Sequence, residues 1–254
     1  MISIFSTSIV EASPWPRPKG DGIIISRLDY FVSSFEDTNT PPLLNKFERF
    51  ETNTYAEYGL TNNILISGKF VYGLTQQQAA GETISTASGI TEVELGAQYT
   101  FRRTEKSVTS ARIAYVLPPN AETGTRDGFA SDGNDLDLSL LYGRSLTTGP
   151  VNTFISGLVS YRRRFGSAAD QVRTQATIGA EPSDRWLLLG EVFTEISLQN
   201  NEPDGADFDI IKIQPSVVWK ASKAYSIQLG LSQEITGRNI NLGRTVFLGL
   251  WYRF

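Results

Sequence analysis

Thr245-Val246-Phe247-Leu248-Gly249-Leu250-Trp251-Tyr252-Arg253-Phe254 decides the fold. Taken at every second residue it separates into Val246, Leu248, Leu250, Tyr252 and Phe254 on one face and Thr245, Phe247, Gly249, Trp251 and Arg253 on the other. That is the period of a strand with one face in oil. The stretch before it repeats the pattern, with Tyr225, Ile227, Leu229 and Leu231 alternating against Ser226, Gln228, Gly230, Ser232 and Glu234. Working outward, the same alternation marks about twelve segments: 21–33, 47–60, 63–74, 89–102, 108–118, 135–146, 151–163, 170–181, 185–198, 208–220, 224–236 and 242–254. Each has roughly the 9–11 residues that carry a tilted strand across a bilayer, plus some overhang.

The connections alternate too. After every second segment the chain turns within a few residues, at Thr61-Asn62, Arg103–Ser107, Thr147–Pro150, Pro182-Ser183-Asp184 and Ala221-Ser222-Lys223. Longer polar loops fall around 34–46, 75–88 and 119–134. This asymmetry, with an even strand number, predicts an all-β, twelve-stranded antiparallel up-and-down transmembrane β-barrel over 21–254 in a Gram-negative outer membrane, short turns to the periplasm. The outward-parity aromatic residues support it. Tyr58, Tyr99, Phe101, Tyr142, Trp186, Trp219, Tyr225, Tyr252 and Phe254 sit beside short turns or the end of the last strand, and Tyr30, Tyr72, Tyr115 and Tyr161 near the long loops, as two interfacial girdles.

Composition closes off much chemistry. With no Cys and no His there is no disulfide framework, no thiolate, no Ser–His pair and no Cys- or His-type metal site. A balance of 23 Lys+Arg against 27 Asp+Glu gives a net charge of −4, without the basic footprint that nucleic acid requires. The loop 125–137 offers Asp127, Asp132, Asn134 and Asp135 to calcium. However, Gly133 comes too early for an EF-hand and no Glu closes the loop, so these read as solvated turn residues. No metal, cofactor or enzyme activity is expected.

Parity places Arg27, Asp29, Arg49, Glu51, Glu57, Lys69, Glu92, Glu94, Arg112, Asp137, Arg162, Arg173, Glu191, Glu195, Lys212, Lys220, Glu234 and Arg253 inside. Of these, Arg49, Glu57, Lys69, Glu92, Glu94, Arg112, Arg162, Glu191, Glu195, Lys212 and Glu234 are the candidate lumen and constriction residues. They either form salt-bridge ladders that rigidify the barrel or screen solutes by charge. Glu57, Glu92, Glu94, Glu191 and Glu195 also invite a search for paired carboxylates, but glycoside hydrolysis needs a sugar-sized open cleft as well. Arg163, on the outward parity within Arg162-Arg163-Arg164, is the candidate contact for lipopolysaccharide phosphates. The remaining Arg-run charges read as a solvated rim, and loops 34–46 and 119–134 as gates.

The first residues read as processing. Met1–Ala12 is an apolar stretch ending in Val10-Glu11-Ala12, like the tail of a secretory signal without its basic start. Residues 13–20 carry Pro14, Pro16 and Pro18, which bar regular pairing and favour an extended chain. They are read as a periplasmic tail rather than a plug in the lumen.

Pro14-Trp15-Pro16-Arg17-Pro18-Lys19-Gly20-Asp21-Gly22, Ala56-Glu57-Tyr58-Gly59-Leu60-Thr61-Asn62 and Leu250-Trp251-Tyr252-Arg253-Phe254 resemble the XagA-like outer-membrane family. Tyr58-Gly59-Leu60-Thr61 and Leu141-Tyr142-Gly143-Arg144-Ser145-Leu146 are similar to the outer-membrane barrel family of the MetA pathway of phenol degradation. Gly59 and Asn62 also read as turn chemistry. The resemblance implies a passive channel or transport barrel, for surface polysaccharide export or for uptake of small organic solutes; the alternative is a plugged structural or adhesive barrel. Its partners would be outer-membrane lipid, lipopolysaccharide and, through the aromatic C-terminus, the barrel assembly machinery.

Overall fold

The structure, a computed structural model, describes residues 13–36, 44–79, 82–117, 120–123, 133–146, 151–201 and 207–254. The expected signal segment 1–12, the tips of the loops at 37–43 and 124–132, and the turn at 147–150 lie outside the described residues. Their calcium-type and gating readings lie outside with them.

Among the described residues thirteen strands follow in chain order: β1 (Gly22–Glu36), β2 (Leu44–Gly59), β3 (Ile64–Ala79), β4 (Glu82–Arg103), β5 (Ser107–Leu117), β6 (Asn120–Thr123), β7 (Asp135–Ser145), β8 (Asn152–Arg164), β9 (Gln171–Ser183), β10 (Trp186–Ser197), β11 (Asp209–Lys220), β12 (Tyr225–Arg238) and β13 (Gly243–Arg253). Neighbours pair antiparallel all the way round, and β13 returns to β1 with Ile23 opposite Arg253 and Ser33 opposite Gly243. The four-residue β6 continues β5, pairing with β4 at Ala87–Ile90 above the stretch that β5 covers. The barrel is therefore closed with twelve wall positions, as the alternation predicts.

Parity sorts the side chains as expected. In β13, Val246, Leu248, Leu250 and Tyr252 face outward and exposed, while Phe247 is buried inside. Outward rings gather at the two ends of the strands: Tyr225, Tyr252 and Phe254 stack in a row at the short-turn end, with centroids 5.1 and 5.7 Å apart, and Tyr30 packs 4.6 Å from Phe50 toward the other. The short turns are closed by hydroxyls: Thr61, Thr104 and Ser222 each accept backbone N–H groups two or three residues on.

Four expectations need correction. Residues 75–88 are not a loop, because β3 and β4 stay paired up to Ala79 opposite Glu82. This hairpin stands where neither face need be apolar, so Thr75–Gln78 and Thr83–Ser88 show no hydrophobic alternation although the backbone ladder continues. Asp135 is not a solvated turn residue either; it is buried in the lumen at the start of β7. Residues 13–20 are not a periplasmic tail. Pro18-Lys19-Gly20-Asp21 forms a reverse turn, with the Asp21 N–H donating to the Pro18 carbonyl at 3.1 Å and Gly20 at φ +91°. That is the left-handed position which a type II turn gives to glycine. The turn folds Ser13–Pro18 back into the barrel as a strap. Gly59, finally, is more than turn chemistry: a side chain there would overlap the Pro18 carbonyl, so its bareness lets the strap pass.

The fold predicts a depth-dependent penalty on the outer face. Leu229→Arg, in the middle of β12 and opposite Leu248, should cost about 2–4 kcal/mol in urea titrations of folding into phospholipid vesicles. The same substitution at Gln233, near the end of the β12–β13 ladder, should cost far less.

Candidate functional site

The inward positions build three layers: a belt of ion pairs, a chamber below it and the strap at the short-turn end. The belt crosses strands in sequence. Lys69 Nζ lies 2.8 Å from Glu92, Arg112 bonds Glu94, and Arg162 Nε lies 3.1 Å from Asp137. Arg173 then links Asp137 at 3.9 Å to Glu195 at 3.5 Å, and Lys212 meets Glu195 at 3.5 Å. These residues are only 3–8% exposed. Arg162 on β8 also reaches Glu94 on β4 at 4.0 Å, three wall positions away, so the belt cuts across one side of the lumen as well as lining it. Charges taken this far from water are tolerable because each lies within 4 Å of an opposite charge.

Sequence reasoning missed two members, Asp135 and Arg164, which approach within 3.8 Å. The signal was available: Asp135-x-Asp137 opens one strand and Arg162-x-Arg164 closes the next. In the hairpin register Asp135 faces Arg164 and Asp137 faces Arg162.

The other predicted residues lie elsewhere. Arg49 pairs within β2 to Glu51 at 3.3 Å and stands over the Phe31 ring. Glu234 accepts the Gly243 N–H at 2.7 Å, just past the last backbone pair of β12 and β13. Glu191 accepts amide hydrogens from Gln175 at 3.3 Å and Gln214 at 2.7 Å. Glu57 anchors the strap. Its carboxylate takes Arg17 Nε at 2.9 Å, the Tyr55 hydroxyl at 2.9 Å and the Ser13 N–H at 3.4 Å.

The strap is held along its length. Its prolines leave carbonyls without competing donors, and these are used: Ser110 Oγ donates to the Pro14 carbonyl at 2.8 Å and Gln98 Nε2 to the Ser13 carbonyl at 3.0 Å. Trp15 packs edge-on to Phe154 at 5.4 Å, over a bare Gly143, where a Cβ would come within 2.7 Å of the indole.

Beside the strap lies a chamber of about 240 Å³, walled by Ile23, Ile25, Leu189 and Trp251 on apolar sides and by Arg17, Arg27, Glu57 and Glu191 with its glutamines on polar ones. Leu187 is shared with a wider mouth of about 510 Å³ at the short-turn end, bordered by Glu181, Lys220 and Arg253.

Arg163 is outside, 56% exposed in its side chain, and donates to Asp170 at 2.8 Å. Burial pushes the Asp170 carboxyl up, but hydrogen bonds from the Tyr161 hydroxyl, the Arg164 N–H and Arg163 outweigh it and hold the group below the usual carboxylate range.

The sequence matches no protein-family model and no curated protein. Solved structures resemble the fold. The COG4313 outer membrane channel from Pseudomonas putida F1 superposes with a TM-score of 0.71 at 12% identity, covering 97% of this chain and 100% of that one. The chain has the closed antiparallel barrel fold of that channel. The NanC porin (TM-score 0.57, 8% identity, 90% and 98% covered) and the translocator domain of the autotransporter NalP from Neisseria meningitidis (0.55, 12%, 94% and 90%) share the architecture. The barrel thus has the fold expected from its sequence, while the finer family resemblance finds no match beyond it.

Breaking one belt pair leaves its partner poorly compensated: without Arg112, Glu94 would face Arg162 at 4.0 Å. Arg112→Met should destabilise the barrel by about 3–5 kcal/mol, and adding Glu94→Leu should recover most of the loss, measured by urea unfolding in detergent.

Proposed function

We propose that the barrel is a passive outer-membrane channel, held narrow by the belt and strap. The observation that carries this is the hollow lower lumen: a mouth at the short-turn end and a chamber beside the strap, with Leu187 in the wall of both. A wall that only served as a scaffold could fill that space with side chains, as small barrels do. Solute would pass once strap and belt rearrange, and the paired charges would discriminate by sign. The resemblance to the XagA-like and phenol-pathway barrels supports surface polysaccharide or small organic solutes as cargo. The near balance of acids and bases does not suit a channel for strongly acidic sugars.

A plugged structural barrel is the second reading, favoured by Arg162 reaching across to Glu94. Single-channel recordings in planar bilayers separate the two, with heat-modifiable gel mobility confirming the folded barrel. The channel reading expects small, ion-selective steps that grow when Gly143→Leu displaces Trp15 or Arg17→Ala frees Glu57, and selectivity that shifts with Arg112→Gln or Glu191→Gln. Silence in all of them establishes the plugged barrel.

For Arg163 we propose contact with lipopolysaccharide phosphate, since its fork remains exposed while Asp170 holds one edge. Arg163→Ala should lower the lipopolysaccharide that co-purifies with the barrel; an unchanged amount removes the contact.

A further inference from the structure

At the short-turn end the inner face of the wall carries a row of charged groups, and one of them lacks a counter-ion. Glu181 on β9 and Lys220 on β11 meet at 2.5 Å. Lys220 stands directly across from Ser226 on β12, a fully buried hydroxyl, and Ser226 in turn accepts from Arg253 Nη1 on β13 at 2.9 Å. Arg253 faces Ile23 on β1, and Ile23 stands opposite Glu57 on β2, where Arg17 of the strap is bound. Three cations thus follow one another round this rim. Lys220 has Glu181 and Arg17 has Glu57, but Arg253, between them, forms no ion pair among the described residues. Its side-chain partners are the Ser226 hydroxyl and the Trp251 ring, whose centroid is 5.5 Å from the guanidinium carbon.

The surrounding charges do not cancel its own. Arg17 repels it, while Glu181, which attracts it, already holds Lys220. Asp184 and Lys223 complete the charged lining of the mouth. Both stand in exposed short turns, opposite in sign and open to screening by salt. The mouth of about 510 Å³ therefore keeps an excess of one positive charge, on a half-buried guanidinium whose hydration is already reduced. Arginine carries five N–H donors in a planar fork that matches the two oxygens of a carboxylate, and Ser226 takes one of them. A single unbalanced charge suits a monoanion. A phosphate monoester, with about −1.5 to −2 charges at pH 7, brings more than the site can answer.

We propose that this mouth is a binding site for the carboxylate of a small organic monoacid, held on the open side of the Arg253 guanidinium with Lys220 and the Trp251 ring beside it. For its part in transport the site rests on the channel reading, as the place where an anionic solute is held at the periplasmic end.

Isothermal titration of the detergent-refolded barrel with benzoate, benzamide and phenyl phosphate tests it, the three probes sharing a ring and differing in the charge of the polar arm. Benzoate should bind at least about tenfold more tightly than benzamide, and phenyl phosphate no more tightly than benzoate. Arg253→Gln should bring benzoate to within about twofold of benzamide. Ser226→Asp should do the same with the guanidinium intact, because it supplies the missing counter-ion from within the wall; heat-modifiable gel mobility confirms that each variant is folded. Lys223→Ala, in the exposed turn, should leave benzoate within about twofold. Equal affinities for benzoate and benzamide, a benzoate affinity unmoved by Arg253→Gln and Ser226→Asp, tighter binding of phenyl phosphate, or a loss in Lys223→Ala as large as in Arg253→Gln each overturn the site. Conductance of the same preparations keeps the two readings apart. A conducting barrel without benzoate preference loses the binding site alone, and a silent barrel that still prefers benzoate keeps the site and loses the channel.

Discussion

Everything in this molecule depends on the completion of its backbone ladder. In hydrocarbon an unpaired N–H or C=O costs several kcal/mol, so strands can cross a bilayer only when the sheet has no edge. The seam that removes the edge is β1 against β13, and it is sealed at the short-turn end by a reciprocal pair: the Gly22 N–H donates to the Phe254 carbonyl at 2.8 Å and the Phe254 N–H to the Gly22 carbonyl at 3.1 Å. The Phe254 ring lies where a Gly22 side chain would be. Closure then fixes the meaning of parity for every other strand, because the two faces become lipid and lumen.

Lumen charges follow from that division. Side chains barred from the lipid face collect inside, and twelve strands leave too little room for each to keep its own water. Pairing across neighbouring strands is the available solution, and the belt from Lys69 to Lys212 is its outcome. The same pairing shapes the space inside: where long charged side chains meet one another they occupy it, and where β9–β11 supply Gln175, Glu191 and Gln214 with leucines beside them, a chamber remains.

The wall was legible in the sequence because bilayer physics writes a period into it. Alternation located all twelve wall positions and most of the inward charges, including Glu94, Arg112 and Arg162. What escaped had no such period. The β3–β4 hairpin runs on through Thr and Gln residues that need no apolar face. Asp135 looked like a turn residue because its segment is rich in Asp and Gly, although the facing Arg162-x-Arg164 marks it as a pairing partner. The strap was misplaced because three prolines argue only against a strand; its direction is set by Lys19-Gly20 after Pro18, where a glycine in the third position of a turn reverses the chain. The chamber was invisible, since its glutamines and leucines carry no charge pattern and come together only in the closed wall.

The reverse turn at Gly20 has a consequence for how firmly the lumen is stoppered. The strap is leashed to β1 by a few residues, so its docking is an intramolecular event, with an effective concentration in the millimolar range for short tethers. Contacts that would give a free peptide only negligible occupancy are then enough to keep this segment seated most of the time. The tether also means that losing one of them, such as Arg17 on Glu57 or Trp15 on Phe154, leaves the segment close to its seat. The stopper is thus coupled to the barrel by local concentration more than by affinity, and a severed copy of the same segment would be a poor substitute for it.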